Sequence, residues 1–249
     1  VVSVLENFDA GTPGNTVVAG TNGIQSVMEG TQTYIAGYQG VAAVRAGAAA
    51  NTTDTRFRVD LGMTGNHSGS IYVKNETAHG SGSASVNFFH VVDTSNSFVV
   101  QFRAGPSNAL RIRVSGVDVY SGAINTIPVA SWCRLDWRLA GTTFDWRWFS
   151  TDPQGASGTQ DLSGTVTAGS FTSARLILGA QSTSSIPKDW SFDTCRFDSD
   201  NSLWLGPYSP PAPPSSGITI WNGSAEVDAE LSYWNGTSEV PLPSWEIAP

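Results

Sequence analysis

Residues 132–149, WCRLDWRLAGTTFDWRWF, constrain the fold of this chain more than any other stretch. The run divides around Ala140, Gly141 and Thr142 into two halves that each alternate with period two. In the first half Cys133, Leu135, Trp137 and Leu139 share one face, and Arg134, Asp136 and Arg138 take the other. In the second, Phe144, Trp146 and Trp148 oppose Asp145 and Arg147. Successive side chains of a strand point to opposite faces, so this alternation predicts two half-buried strands, and the short glycine-containing break predicts a hairpin. Four of the nine tryptophans fall here. The hairpin is therefore expected to supply much of the core, with Trp137 and Trp146 inside.

The remainder of the chain follows the same pattern. Charged residues make up only 14% of the sequence, and 26 glycines with many Ser and Thr stand in their place. That is the composition of a strand-and-turn protein with little material for amphipathic helices. Strand-like runs are read at residues 1–8, 33–35, 40–45, 55–61, 70–74, 84–93, 98–104, 109–114, 162–166, 173–178 and 192–197, with turn clusters such as TSNS and GPSN between them. Many short strands without a long helical period predict an all-β sandwich or barrel.

A net charge of −8 opposes non-specific binding to nucleic acid or to an anionic membrane. No stretch is apolar for long enough to cross a bilayer. The opening residues VVSVLENFDAGTPG lack a basic leader and a sustained apolar segment, and are read as either a mature start or the edge of a fragment rather than a signal peptide. Cys133 and Cys195 both take inward parity, so two buried thiols are expected, although the positions also permit a disulfide. His67, His79 and His90 are scattered and show no metal-ligand spacing.

The C-terminal end is distinct. DSDNSLWLGP leads into a Pro-rich linker at residues 208–217, and beyond it lies a tail at residues 218–249. Within that tail WNGSAEV at Trp221 recurs as WNGTSEV at Trp234, thirteen residues later. Asn-Gly is the strongest two-residue hairpin signal, so two tandem hairpins are predicted. They are too small to bury a core of their own. Trp221, Trp234 and Trp245 in so short a tail are expected to form an assembly interface.

Several segments resemble a known architecture. LRIRVSGVDVYS at residues 110–121, the Trp-led alternating strand at 131–139, and RLILG followed by WSFDTCRF are similar to the corresponding pieces of concanavalin-A-like jelly rolls of the laminin-G type. The resemblance implies a concanavalin-A-like (laminin-G-like) jelly-roll β-sandwich over residues 1–207, with a small C-terminal β-hairpin appendage. The sandwich, the WLGP exit and the repeated WNG turns together resemble minor tail or other virion proteins of bacteriophages that infect actinobacteria. That likeness implies a virion location, other virion and tail proteins and a host cell-surface glycan as partners, and a homo-oligomer, for which a trimer is expected by analogy with phage fibres. The alternatives are a stand-alone carbohydrate-binding or adhesion module and a retaining glycosidase.

Glu226, Asp228 and Glu230 resemble the E-x-D-x-E strand of laminarinase-type glycosidases, whose carboxylates share one strand face. Here the motif follows the linker instead of lying mid-sandwich, and Glu226 has a repeat partner in Glu239. No catalytic residue is therefore assigned, and the chain is expected not to be an enzyme. For sugar binding, Arg147, Phe149 and Trp190 are the candidates, because an open sheet face needs aromatic rings for C–H surfaces and polar groups for hydroxyls. Asp198 and Asp200 offer oxygen ligands that could chelate calcium, against a plain solvated turn. No other cofactor is expected.

Overall fold

The computed structural model describes residues 3–6, 8, 11–20, 24–40, 42–48, 53–60, 65–82, 84–93, 95, 97–156, 158–168, 173–182, 186–209, 219–221, 226–228, 232–234 and 239–241. For residues 3–6, 25, 48, 60, 173, 174 and all those beyond 209 only the backbone is described. The chain divides into two units, Val1–Tyr208 and Ser209–Pro249.

Among the described residues the first unit has fifteen strands: β1 (Ser3–Glu6), β2 (Ile24–Glu29), β3 (Gln32–Ala36), β4 (Ala42–Ala48), β5 (Thr55–Asp60), β6 (His67–Asn75), β7 (Val86–Asp93), β8 (Phe98–Ala104), β9 (Leu110–Val114), β10 (Val117–Ser121), β11 (Trp132–Ala140), β12 (Thr143–Phe149), β13 (Leu162–Thr167), β14 (Ser173–Gln181) and β15 (Lys188–Asp198). Among the described residues the only helical element is a single 3₁₀ turn at Pro106–Asn108. Two antiparallel sheets result. Sheet I runs β13-β12-β11-β6-β15-β4-β3, with β1 also paired to β15, and sheet II runs β10-β9-β8-β7-β14-β5-β2. The two sheets make a jelly-roll β-sandwich around one core.

The aromatic hairpin sits where its alternation puts it. β11 and β12 pair with Trp137 directly opposite Trp146. On either side the neighbouring strands place a glycine: Gly69 of β6 faces Trp137, and Gly164 of β13 faces Trp146. A Cβ added at Gly69 would lie 2.0 Å from the Trp137 ring, so only glycine lets that indole spread across the adjacent strand. The core continues into sheet II through Phe89, 5.0 Å from Trp137, and Phe102, 6.1 Å from Trp146. Packing of this density is what fixes the two sheets against each other. Cys133 and Cys195 are both buried, and neither is in a disulfide.

Two irregularities change which side chains face inward. A register shift between Asn87 and Phe89 turns both Phe88 and Phe89 into the core. A second shift, between Asp193 and Arg196 of β15, places Thr194 at φ 40°. A bulge inserts an extra residue and so inverts the in-out alternation beyond it. Cys195 and Phe197 therefore point inward after the bulge, while Trp190 and Phe192 point inward before it.

In the second unit, Thr219–Trp221 pairs with Glu226–Asp228 and Ser232–Trp234 pairs with Glu239–Pro241, each as an isolated two-stranded sheet. Linker residues 210–217, and residues 222–225 and 235–238 where the sequence predicts the turns, lie outside the described residues.

Candidate functional site

The outer face of sheet I is unusually polar for a surface that is largely covered. Arg134 and Asp136 of β11, Ser70 and Tyr72 of β6, and Asp189, Ser191 and Asp193 of β15 are all buried there. Two segments make the roof. The loop after β12 is pinned by Arg134, which donates to the carbonyls of Pro153 (2.6 Å) and Gly155 (2.8 Å) while its Nε donates to Asp136 (3.0 Å). A buried guanidinium survives when its donors are paired in this way. Burial pushes the Asp136 carboxyl above the usual carboxylate range, against the opposing pull of Arg134.

The second segment is the strap that follows β15, residues 199–208. Ser68 donates to the Asp200 carbonyl (2.9 Å), Arg138 to the Ser202 carbonyl (3.2 Å), and Arg196 to the carbonyls of Leu205 (3.3 Å) and Gly206. The Tyr208 amide donates to the Tyr72 hydroxyl at 3.0 Å. These bonds tie the strap down along its length and hold the Trp204 indole against two guanidinium groups, Arg138 at 4.3 Å and Arg147 at 3.8 Å from the ring centre. Cation–π contact of this kind fixes ring and cations together.

Beside Trp204 the roof stops and a cleft of ≈ 220 Å³ remains. Its floor is Arg138, Asp145 and Arg147, its far side Ser163 and Thr165 of edge strand β13, and Gln160 closes one end. Asp145 is held in place, accepting from Arg138 Nη2 (3.0 Å) and Thr165 Oγ1 (2.6 Å). Burial and the neighbouring Arg138 pull the Arg147 pKa below the usual arginine value, and Asp136 and Asp145 act against them. The cleft thus offers an aromatic wall, a fixed carboxylate, guanidinium, amide and two hydroxyls. Such a set can pack a C–H surface and satisfy several hydroxyl groups at once.

The sequence candidates are distributed unevenly around it. Arg147 lines the cleft. Phe149 does share its outward face but is covered by the Arg134 guanidinium, 3.8 Å above its ring, and is fully buried. Trp190 is a correction: the β15 bulge inverts its parity, and it lies in the core stacked on Phe88 with centroids 4.2 Å apart. Neither ring presents a surface to a ligand. Asp198 and Asp200 cap turn amides, Asp198 accepting from Asp200 N (2.8 Å) and Asp200 from Ser202 N (2.9 Å). Among the described residues no group of three or more His, Cys, Asp or Glu side chains is placed to hold a metal. Glu226 and Asp228 sit in the first isolated hairpin, outside either sheet of the sandwich, and Glu230 lies outside the described residues. The side chains of Trp221, Trp234 and Trp245 also lie outside them.

Sequence reasoning missed Trp204, Gln160 and the β13 hydroxyls. WLGP marked the end of the sandwich, but nothing local in it shows that the strap folds back over sheet I.

The sequence matches no family model, and no curated protein is similar to it. Likeness is found among solved structures. The cellulose-induced protein Cip1 aligns with a TM-score of 0.53 at 14% identity, over 79% of this chain and 97% of its own. Peanut lectin aligns at 0.48 and 11% identity, over 79% and 97%. Domain 4 of AbnA, an extracellular arabinanase from Geobacillus stearothermophilus solved with arabinotriose, aligns at 0.45 and 19% identity, over 83% and 93%. The likeness to Cip1 is one of fold: the first unit of this chain is a concanavalin-A-like jelly-roll β-sandwich.

Proposed function

We propose that the sandwich is a carbohydrate-binding module that seats a sugar in the Trp204 cleft. The observation that carries this reading is the cleft itself, in which an indole held by Arg138 and Arg147 stands beside Asp145, Gln160, Ser163 and Thr165. A saccharide needs this pairing of an apolar plane with fixed hydrogen-bonding groups. Fold alone would not carry the reading, since one sandwich serves many functions.

Binding without turnover is the reading we adopt. Among the described residues that line the cleft the one acid is Asp145, which is engaged by both Arg138 and Thr165, and none of them places a second carboxylate across from it for acid–base work. The sequence resemblance to tail proteins of actinobacteriophages supports a virion setting, in which the module would attach the particle to a host-surface glycan. Mass spectrometry of purified virions tests the setting. A glycan array probed with the full chain and with Trp204→Ala tests the function. Binding by the parent that the variant loses is expected, and an array on which the parent binds nothing would contradict the reading.

A further inference from the structure

The opposite face of the sandwich carries a different chemistry. Pairing registers lay out one row across sheet II: Arg58 of β5, Ile177 of β14, His90 of β7, Gln101 of β8, Arg113 of β9 and Asp118 of β10. Arg103 and Arg111 face each other one row along, and Arg56 and Arg175 extend the set on β5 and β14. All point away from the core, since Phe57, Val59, Leu176, Leu178, Phe102 and Ile112 alternate with them inward. Six of the 13 basic residues of a chain with net charge −8 therefore share one sheet face, and all six are arginines.

Two carboxylates whose side chains are described answer them from the sheet edges, and Asp60 of β5 lies opposite Arg175 in the pairing register. Glu29 of edge strand β2 pairs with Arg56 (2.7 Å), and Asp118 of edge strand β10 pairs with Arg103 and Arg113 (2.8 Å each). Between the edges, Arg58 and Arg111 have no carboxylate partner among the described residues. The Nε–H groups of Arg58, Arg103 and Arg111 are buried without an acceptor. At the centre His90 is 1% exposed, and its Nδ1 has no hydrogen-bond partner. Burial and the neighbouring guanidiniums Arg113 and Arg111 lower the Arg103 pKa, against the pull of Asp118. Unneutralised like charge and unpaired donors at this density work against folding, and an anion that covers them relieves both.

We propose that the outer face of sheet II binds an acidic polysaccharide, with sugar carboxylate or sulfate groups seated on the guanidiniums of Arg58, Arg111 and Arg113. Arginine in place of lysine suits this ligand, because the planar fork meets a carboxylate or sulfate with two parallel hydrogen bonds. The face spans four strand spacings from β5 to β9, about 19 Å, which accommodates several sugars rather than one small anion. Phe98, 37% exposed with its ring 4.8 Å from His90, offers an apolar surface beside the charges. A single-stranded nucleic acid is disfavoured, because its bases need a row of aromatic rings to stack on, and among the described residues this face exposes Phe98 alone. The proposal is independent of the Trp204 cleft, which lies on the other sheet.

The test is calorimetry on the full chain with four probes: an oligogalacturonate, a heparin-derived oligosaccharide, a neutral dextran oligomer and single-stranded DNA. One or both acidic sugars are expected to bind, the stronger showing whether carboxylate or sulfate is preferred, and dextran is expected not to. Affinity should fall at least about tenfold between about 50 and 200 mM salt. The double change Arg58→Gln with Arg111→Gln should cost at least about tenfold in affinity with the melting temperature unchanged or raised. Should that pair fail to fold, Arg111→Lys, which keeps the charge and loses the fork, is expected to weaken binding several-fold. Trp204→Ala should leave this binding as it is. No binding of either acidic sugar, tighter binding of DNA, or arginine variants that bind like the parent would overturn the proposal. Loss of acidic-sugar binding on Trp204→Ala alone would overturn it too, while leaving the reading of the cleft intact.

Discussion

The guanidinium of Arg147 lies 3.8 Å from the centre of the Trp204 indole, and the cleft exists because these two residues meet. Arg147 is placed by strand geometry, on the outward face of β12 opposite Asp136. Trp204 is placed only when the strap docks. Of the hydrogen bonds that dock the strap, Arg196 makes two, to the carbonyls of Leu205 and Gly206.

Replacing Arg196 by Met is therefore expected to free the strap while the sandwich stays folded. Removing the two charge-assisted bonds should cost about 1–3 kcal/mol, and limited proteolysis should cut within residues 199–208. Resistance equal to the parent's would mean the strap is held by other contacts.

The core prediction concerns the row formed by Gly69, Trp137, Trp146 and Gly164. Trp137→Ala should cost about 3–5 kcal/mol. Gly69→Ala should cost about 1–3 kcal/mol, because its Cβ overlaps a ring enclosed on every side. Denaturant melts measure both, and a loss below about 1 kcal/mol for Trp137→Ala would refute the packing described here.

Fold and site differed in how far they could be read from sequence. Period-two alternation is a local signal, so β11 and β12, Trp137 and Trp146, and the outward direction of Arg147 could all be read directly. Trp190 could not: the extra residue in β15 leaves no compositional mark, and it reverses the parity counted back from Cys195 and Phe197. Phe149 takes the outward face that its parity gives, but Arg134 and its loop cover it, and that is a tertiary event. Trp204 depends on a strap that packs far from its neighbours in sequence. The arginine face did leave a trace, in the period-two pairs Arg56/Arg58, Gln101/Arg103 and Arg111/Arg113. Those pairs become a single surface only once the strand order is known.

His90 gives a pH prediction. Burial foremost, then Arg56, holds its pKa down from 6.5 to about 3. Between those values the unfolded chain binds a proton that the folded chain refuses, so this residue makes stability rise with pH across that window and fall as pH is lowered. One such group contributes a slope of about 1.4 kcal/mol per pH unit. His90→Gln should flatten the pH dependence of urea melts between about pH 4 and 6 by that amount. An unchanged slope would show that His90 titrates normally in the folded protein.

The tail prediction follows from the repeat of Trp-Asn-Gly turns and the three tryptophans of residues 218–249. Light scattering should find the full chain self-associated, as a trimer, and a chain ending at Ser209 monomeric. Monomers in both cases would assign the tail no role in assembly.

Sugar binding at the Trp204 cleft is tested most directly by calorimetric titration of the strongest array ligand into the parent and into Trp204→Ala. The variant is expected to fall in affinity at least about tenfold, since it loses a stacking wall and the positioning of Arg147, while melting like the parent. Equal affinity in the two proteins would place the sugar elsewhere and contradict the account.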